Sequence, residues 1–99
     1  HKIVCATVMP FNIASLKDKF AQRMHVAALK LKYGGKLRYV FAKSLVEETA
    51  WEDEAIVVPM GETEAQQQLL RDGYFGVSME RRGDGWFVLY KKRTKHNFA

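Results

Sequence analysis

Hydrophobic residues recur at three- and four-residue steps from Ile13 to Tyr33. Ile13, Leu16, Phe20, Met24, Ala27, Ala28 and Leu31 fall on one helical face. Lys17, Asp18, Gln22, Arg23, Lys30 and Lys32 fall mostly on the other. Asn12 or Ser15 can supply an N-cap oxygen, and Gly34 with Gly35 can take the left-handed conformation that stops a helix. The pattern predicts one amphipathic helix roughly 30 Å long, at about 1.5 Å per residue, with the remaining elements needing it as cover.

Elsewhere the period shortens to two. Lys2 to Met9 is rich in β-branched and small apolar residues and stops at Pro10, which predicts a first strand. Lys36 to Ala42 alternates, with Leu37, Tyr39 and Phe41 on one side and Arg38 and Val40 on the other. Ser44 to Glu54 reads as an exposed connection, and Ala55 to Val58 as a short strand closed near Pro59. Thr63 and Gln66 match a capping box opening a second helix, with Ala65, Leu69 and Leu70 inward and Gly73 ending it. Phe75 to Arg82 and Trp86 to Arg93 form a hairpin around Gly83, Asp84 and Gly85. Either two-residue loop there puts Val77 and Met79 on a face with Trp86, Val88 and Tyr90. Phe87 and Leu89 then share the opposite face with Ser78, Glu80 and Arg82.

The order β-α-β-β-α-β-β predicts a single α+β domain over residues 1–99, a ferredoxin-like β-α-β-β-α-β sandwich with an added C-terminal hairpin strand. No internal repeat is visible. In that arrangement strands one and three are central. Both are apolar on both sides (Ile3 and Cys5 against Val4 and Ala6; Ala55 and Val57 against Ile56 and Val58), so both sheet faces should be covered. Helices would cover one face, and the added hairpin or a second copy of the chain the other. A homodimer through the sheet is one expectation.

Charge changes the picture more than composition does. The net charge is +5, but five of the eleven acids lie between Glu47 and Glu54, leaving sixteen Lys and Arg against six acids elsewhere. Such a surface favours an anionic partner. Apolar runs are too short to span a membrane, no secretory pattern opens the chain, and the lone Cys5 cannot form an internal disulfide. A cytoplasmic protein without membrane contact is expected, with Cys5 a buried small hydrophobe.

Candidate chemistry concentrates in three places. Arg81, Arg82, Lys91, Lys92, Arg93 and Lys95 cluster near the C-terminal hairpin with Trp86 and Tyr90 interleaved, the residue types that contact phosphates and stack on bases. A solvated hairpin end is the simpler explanation, with Arg81 stacked on Trp86. Trp51 with Glu52 and Asp53 has the look of an aromatic anchor within a charged rim, and Phe87 with Leu89 offers a second surface for a protein partner. The acidic run lacks the glycine turn of a calcium loop, so no metal or other cofactor is expected. His25 reads as a surface histidine. His96 with Tyr90, Arg93 and Lys95 could form a metal-independent ribonuclease site. The leading expectation is a non-enzymatic module contacting nucleic acid electrostatically. The alternative is a protein-binding regulator or inhibitor of phage or plasmid type, and a ribonuclease toxin is third.

Overall fold

The helix that begins at Ile13 ends at Ala21, well short of Tyr33. In the computed structural model, which describes residues 3–32, 34–44 and 50–94, α1 is Ile13–Ala21 and β2 is His25–Lys32, the latter following β1, Ile3–Val8. Asn12 is the N-cap residue of α1, but its side chain makes no capping bond. Arg23 takes the left-handed conformation at φ 62°, breaking the helix before Met24. The helical spacing beyond that point has a different origin. A β-bulge between Val26 and Ala28 inserts one residue into β2, so the inward positions Val26 and Leu29 are three apart. A bulged strand therefore imitates a helical step. Gly34 and Gly35, with φ of 79° and 92°, form the turn into β3, Lys36–Ser44, rather than a helix stop.

The second half follows the same order: β4 Ile56–Pro59, α2 Thr63–Arg71, β5 Tyr74–Arg82 and β6 Gly85–Lys92. Arg82 pairs with Gly85, so Gly83 and Asp84 are the hairpin loop, Gly83 with a φ of 59°. The α2 N-cap is Glu62, and there is no capping box. The Gln66 side chain points into the core instead, and Ala65 faces solvent.

Among the described residues, one six-stranded sheet has the order β1-β3-β2-β5-β6-β4, with every pairing antiparallel. The α+β class stands, but the ferredoxin-like order does not. The strands expected at the centre, β1 and β4, are the two edges. The extra strand β2 accounts for this: each β-α-β-β unit closes on itself as a three-stranded sheet, and the units join β2 to β5. Edge placement also explains why Ile3, Val4 and Cys5 on β1 are exposed, contrary to the expectation of a buried cysteine.

The two units are related by a pseudo-twofold axis through the junction. Adding fifty to each number before the turn, and forty-nine beyond it because Arg82 pairs with Gly85 where Lys32 pairs with Lys36, relates the units. This carries α1 onto α2 and the left-handed Arg23 onto Gly73, whose φ is 96°. It also carries the β2 bulge after Val26 onto the β5 bulge after Gly76. Val26 maps onto Gly76, its own partner across the junction and the sole residue pair joining β2 to β5. The repeat is invisible in the sequence, because no residue of 13–32 matches its counterpart in 63–82.

Both helices lie on one face. Val8, Val26, Leu29, Tyr39, Phe41, Val58, Val88 and Tyr90 point from the sheet toward Leu16 of α1 and Gln66 of α2, and all are buried. Phe20 meets the Phe41 ring edge-on at 5.0 Å. Gln66 lies beneath two tyrosines: its Oε1 accepts from Tyr39 Oη at 2.7 Å and Tyr90 Oη at 2.9 Å, while Nε2 donates to the carbonyls of Met60 and Glu62. Burial holds both phenols well above their usual pKa. The Gln66 bond partly opposes this at Tyr39, and Tyr39 itself adds to it at Tyr90. Where β2 has parted from β5, Gln67 Nε2 reaches the Leu29 carbonyl at 2.9 Å.

Candidate functional site

The face opposite the helices is open, and the register decides what it displays. β1 reaches β3 only as far as Tyr39, and β5 meets β2 only at Val26. The rungs Lys30–Arg38, Leu31–Leu37 and Lys32–Lys36 are therefore a free two-stranded ribbon, the first arm. Alternation puts Lys30, Lys32, Lys36 and Arg38 on its open face, in two directly opposed pairs. Like charges facing each other across a ribbon are destabilising, so folding alone does not favour the arrangement. Arg38 Nη1 donates to the Leu37 carbonyl at 3.0 Å, and among the described residues Lys30, Lys32 and Lys36 have no carboxylate partner. On the other side of the arm Leu31 is 66% exposed.

The helix expectation hid this arm by placing Lys30 and Lys32 on a helix and Lys36 and Arg38 elsewhere. One signal was available: no Asp or Glu occurs between Asp18 and Glu47, while seven Lys or Arg do.

The C-terminal cations do not form one patch. Arg81 and Arg82 sit at the β5–β6 turn, the second arm, while Lys91, Lys92 and Arg93 lie at the other end of β6, about 20 Å away at roughly 3.3 Å per residue. They also divide by face: Arg82, Lys91 and Arg93 toward the open face, Arg81 and Lys92 toward the helical one. Arg81 Nε donates to the Gly83 carbonyl at 3.0 Å, and Arg82 bonds Glu80. Lys17, not Arg81, stands over the Trp86 ring, at 5.2 Å. Lys92 lies over Tyr74 and Arg93 over Phe75. Lys95 and His96 lie outside the described residues, as do Glu47 and Glu48.

Trp51 is not an exposed anchor. It pairs with Arg93, extending the β6 edge, with Glu52 N–H on the Lys92 carbonyl and Thr94 N–H on that of Ala50. Its ring packs with His25 at 5.3 Å and Phe75 at 5.5 Å, and His25 meets Phe75 at 5.1 Å, over the junction of the two units. His25, expected on the surface, is only 8% exposed. Burial, then the Arg93 charge, lowers its pKa below 6.5. Glu52, Asp53 and Glu54 are exposed along the β4 edge, with β6 and β5 between them and the first arm. Phe87 and Leu89 are half-buried on the open face opposite Pro59 and Val57.

Among the described residues no three His, Cys, Asp or Glu side chains converge on a possible metal position, and no helix is long and apolar enough to cross a membrane. These features define an α+β protein made of two β-α-β-β units, with one sheet face under helices and one open face of segregated charge. Comparison with family models, with curated proteins and with solved structures finds no match.

Proposed function

We propose that the protein binds nucleic acid through the open face of its sheet, with the first arm as the main electrostatic contact. The observation that carries this reading is the set of four cations on one face of a projecting ribbon, Lys30, Lys32, Lys36 and Arg38. Lys32 and Lys36, directly opposed and without a carboxylate partner among the described residues, suit a polyanion, whose phosphates replace their repulsion with attraction. Lys91 and Arg93 add positive charge on the same face nearer the junction, and Glu52, Asp53 and Glu54 lie toward the β4 edge, away from the first arm.

The test is a salt series with labelled mixed-sequence nucleic acid. Affinity should fall steeply with salt. Replacing Lys30, Lys32, Lys36 and Arg38 together by Gln should reduce the log–log slope by about three to four, near 0.9 for each phosphate no longer neutralised. No binding at low salt, or an unchanged slope in the variant, would overturn the proposal.

A protein partner is the second reading. It is favoured by the apolar positions the open face leaves uncovered, with Ile3 62% exposed and Cys5 and Pro59 also exposed. If the partner is a second copy, sedimentation at micromolar concentration will show a dimer. A monomer would remove that version.

A further inference from the structure

The geometry points to double-stranded DNA as the ligand, contacted at two places about one helical turn apart by the two pseudo-symmetric arms; this rests on the nucleic-acid reading above. β2 and β5 run in opposite directions from their shared Val26–Gly76 pair, so the arms leave the junction in opposite directions. Each runs six residues from that pair to its tip, Val26 to Lys32 and Gly76 to Arg82. At about 3.3 Å per residue the tips stand roughly 40 Å apart. The longest dimension of the molecule, 44 Å, agrees. Along one side of B-form DNA the major groove returns every 34–36 Å or so.

Symmetry supports the same ligand. A pseudo-twofold relating antiparallel neighbours within a sheet stands perpendicular to it, so both arms present the same sheet face to the same side. The two strands of a duplex are related by such an axis, whereas a single strand has none to match. Scale selects among duplexes. Two strands about 4.8 Å apart make a ribbon that enters a major groove about 12 Å wide. The deep, narrow major groove of A-form RNA excludes side chains. Single-stranded binding usually relies on open aromatic faces. Here Phe75 is engaged by Arg93, His25 and Trp51, and Phe87 is half-buried with Arg82 over its ring.

The arms are unequal. The first carries four cations and no acid, while in the second Glu80 holds Arg82 and Asp84 sits in the turn. The first arm therefore anchors, and Arg82, on the same open face, adds a second contact only when the duplex is long enough.

The full chain and its Arg82→Gln variant would be titrated by fluorescence anisotropy against DNA duplexes of about 8 and about 24 base pairs, where one turn is about 10.5. Single-stranded DNA and RNA duplex of the longer length complete the set. The expected result is tightest binding to the long DNA duplex. The variant should show a salt slope there shallower by up to about one, at about 0.9 per phosphate, and no change on the short duplex. Unchanged binding to the short duplex also shows that the variant is folded. An equal drop on both lengths, no drop on the long duplex, or equal affinity for single strands or RNA duplex would overturn the two-point DNA inference while nucleic-acid binding stands. Failure to bind any of the four would overturn the underlying reading as well.

Discussion

Replacing Gln66 by Leu removes the one side chain that satisfies both buried tyrosine hydroxyls. Tyr39, Tyr90 and Gln66 are all fully buried, so no water can take its place. The substitution is nearly isosteric, so the cavity term is small. The destabilisation comes from two O–H donors and the Met60 carbonyl left without the partner they have now. At about 1–3 kcal/mol for each unsatisfied buried group, the two hydroxyls alone cost about 2–6 kcal/mol. A domain of this size has about 5–15 kcal/mol in total, so the variant should be close to unfolding.

The pseudo-symmetric position offers the control. There the buried residue is Leu16, and the residue equivalent to Tyr90 is Phe41. The molecule thus fills the same place once with an apolar pair and once with a polar network. Tyr39→Phe/Tyr90→Phe/Gln66→Leu removes donors and acceptor together and should recover most of the stability that Gln66→Leu alone forfeits. Urea midpoints with the slope held constant provide the measurement. If Gln66→Leu costs under about 1 kcal/mol, or the triple variant is less stable than the single, the network does not work as described.

The remaining predictions concern the junction between the units. His25 has its folded-state pKa lowered below 6.5 by burial and by Arg93. Between that lowered value and 6.5 the unfolded chain binds more protons, so stability should fall as pH drops through this window and level off below it. His25→Phe should flatten that part of the stability–pH curve; an unchanged curve would place the titrating group elsewhere. At Gly76 an added Cβ would stand 2.8 Å from Val26 Cβ and 3.3 Å from Val88 Cγ1. Gly76→Ala should therefore cost about 1–3 kcal/mol, and because the closest clash is with the Val26 Cβ that alanine keeps, adding Val26→Ala should not return it, as read from urea midpoints.

Much of the fold is legible in the sequence because its signals are local. Alternation locates β1, β3, β4 and the last hairpin to within a residue or two, and Gly83, Asp84 and Gly85 mark the turn, whose loop the register then fixes as Gly83 and Asp84. What is not legible has two physical causes. A bulge converts a strand period of two into a local step of three, and it does so in β2, where Val26 and Leu29 pass for a helical pair. The same insertion puts Val77 at the β5 bulge, away from the face that simple alternation would have it share with Met79. Sheet order depends on long-range pairing between residues such as Val26 and Gly76, which no periodicity encodes. The candidate site is obscured together with β2. Half of the first arm hides in the apparent helix, and the cations that stand out along the chain belong to a cluster that the register spreads over two ends and two faces.

The differences between the two units indicate where function resides. Some equivalent positions keep similar apolar chemistry, as the buried Val8 and Val58 and the buried Leu29 and half-buried Met79 do. At the arms the chemistry diverges. Lys30 corresponds to Glu80, Lys36 to Gly85 and Arg38 to Phe87, so the cations of one unit face the other's acid, glycine and aromatic across the pseudo-twofold. None of these positions lies in the core, so packing does not require the change. The first arm tolerates repulsion that the second avoids by pairing Arg82 with Glu80. Two opposed lysines, Lys32 and Lys36, with no carboxylate partner among the described residues are what a binding surface leaves in a fold that does not need them. Neutralising Lys32 and Lys36 should accordingly raise stability, or leave it unchanged, while weakening binding; a variant impaired in both would assign those residues to the fold.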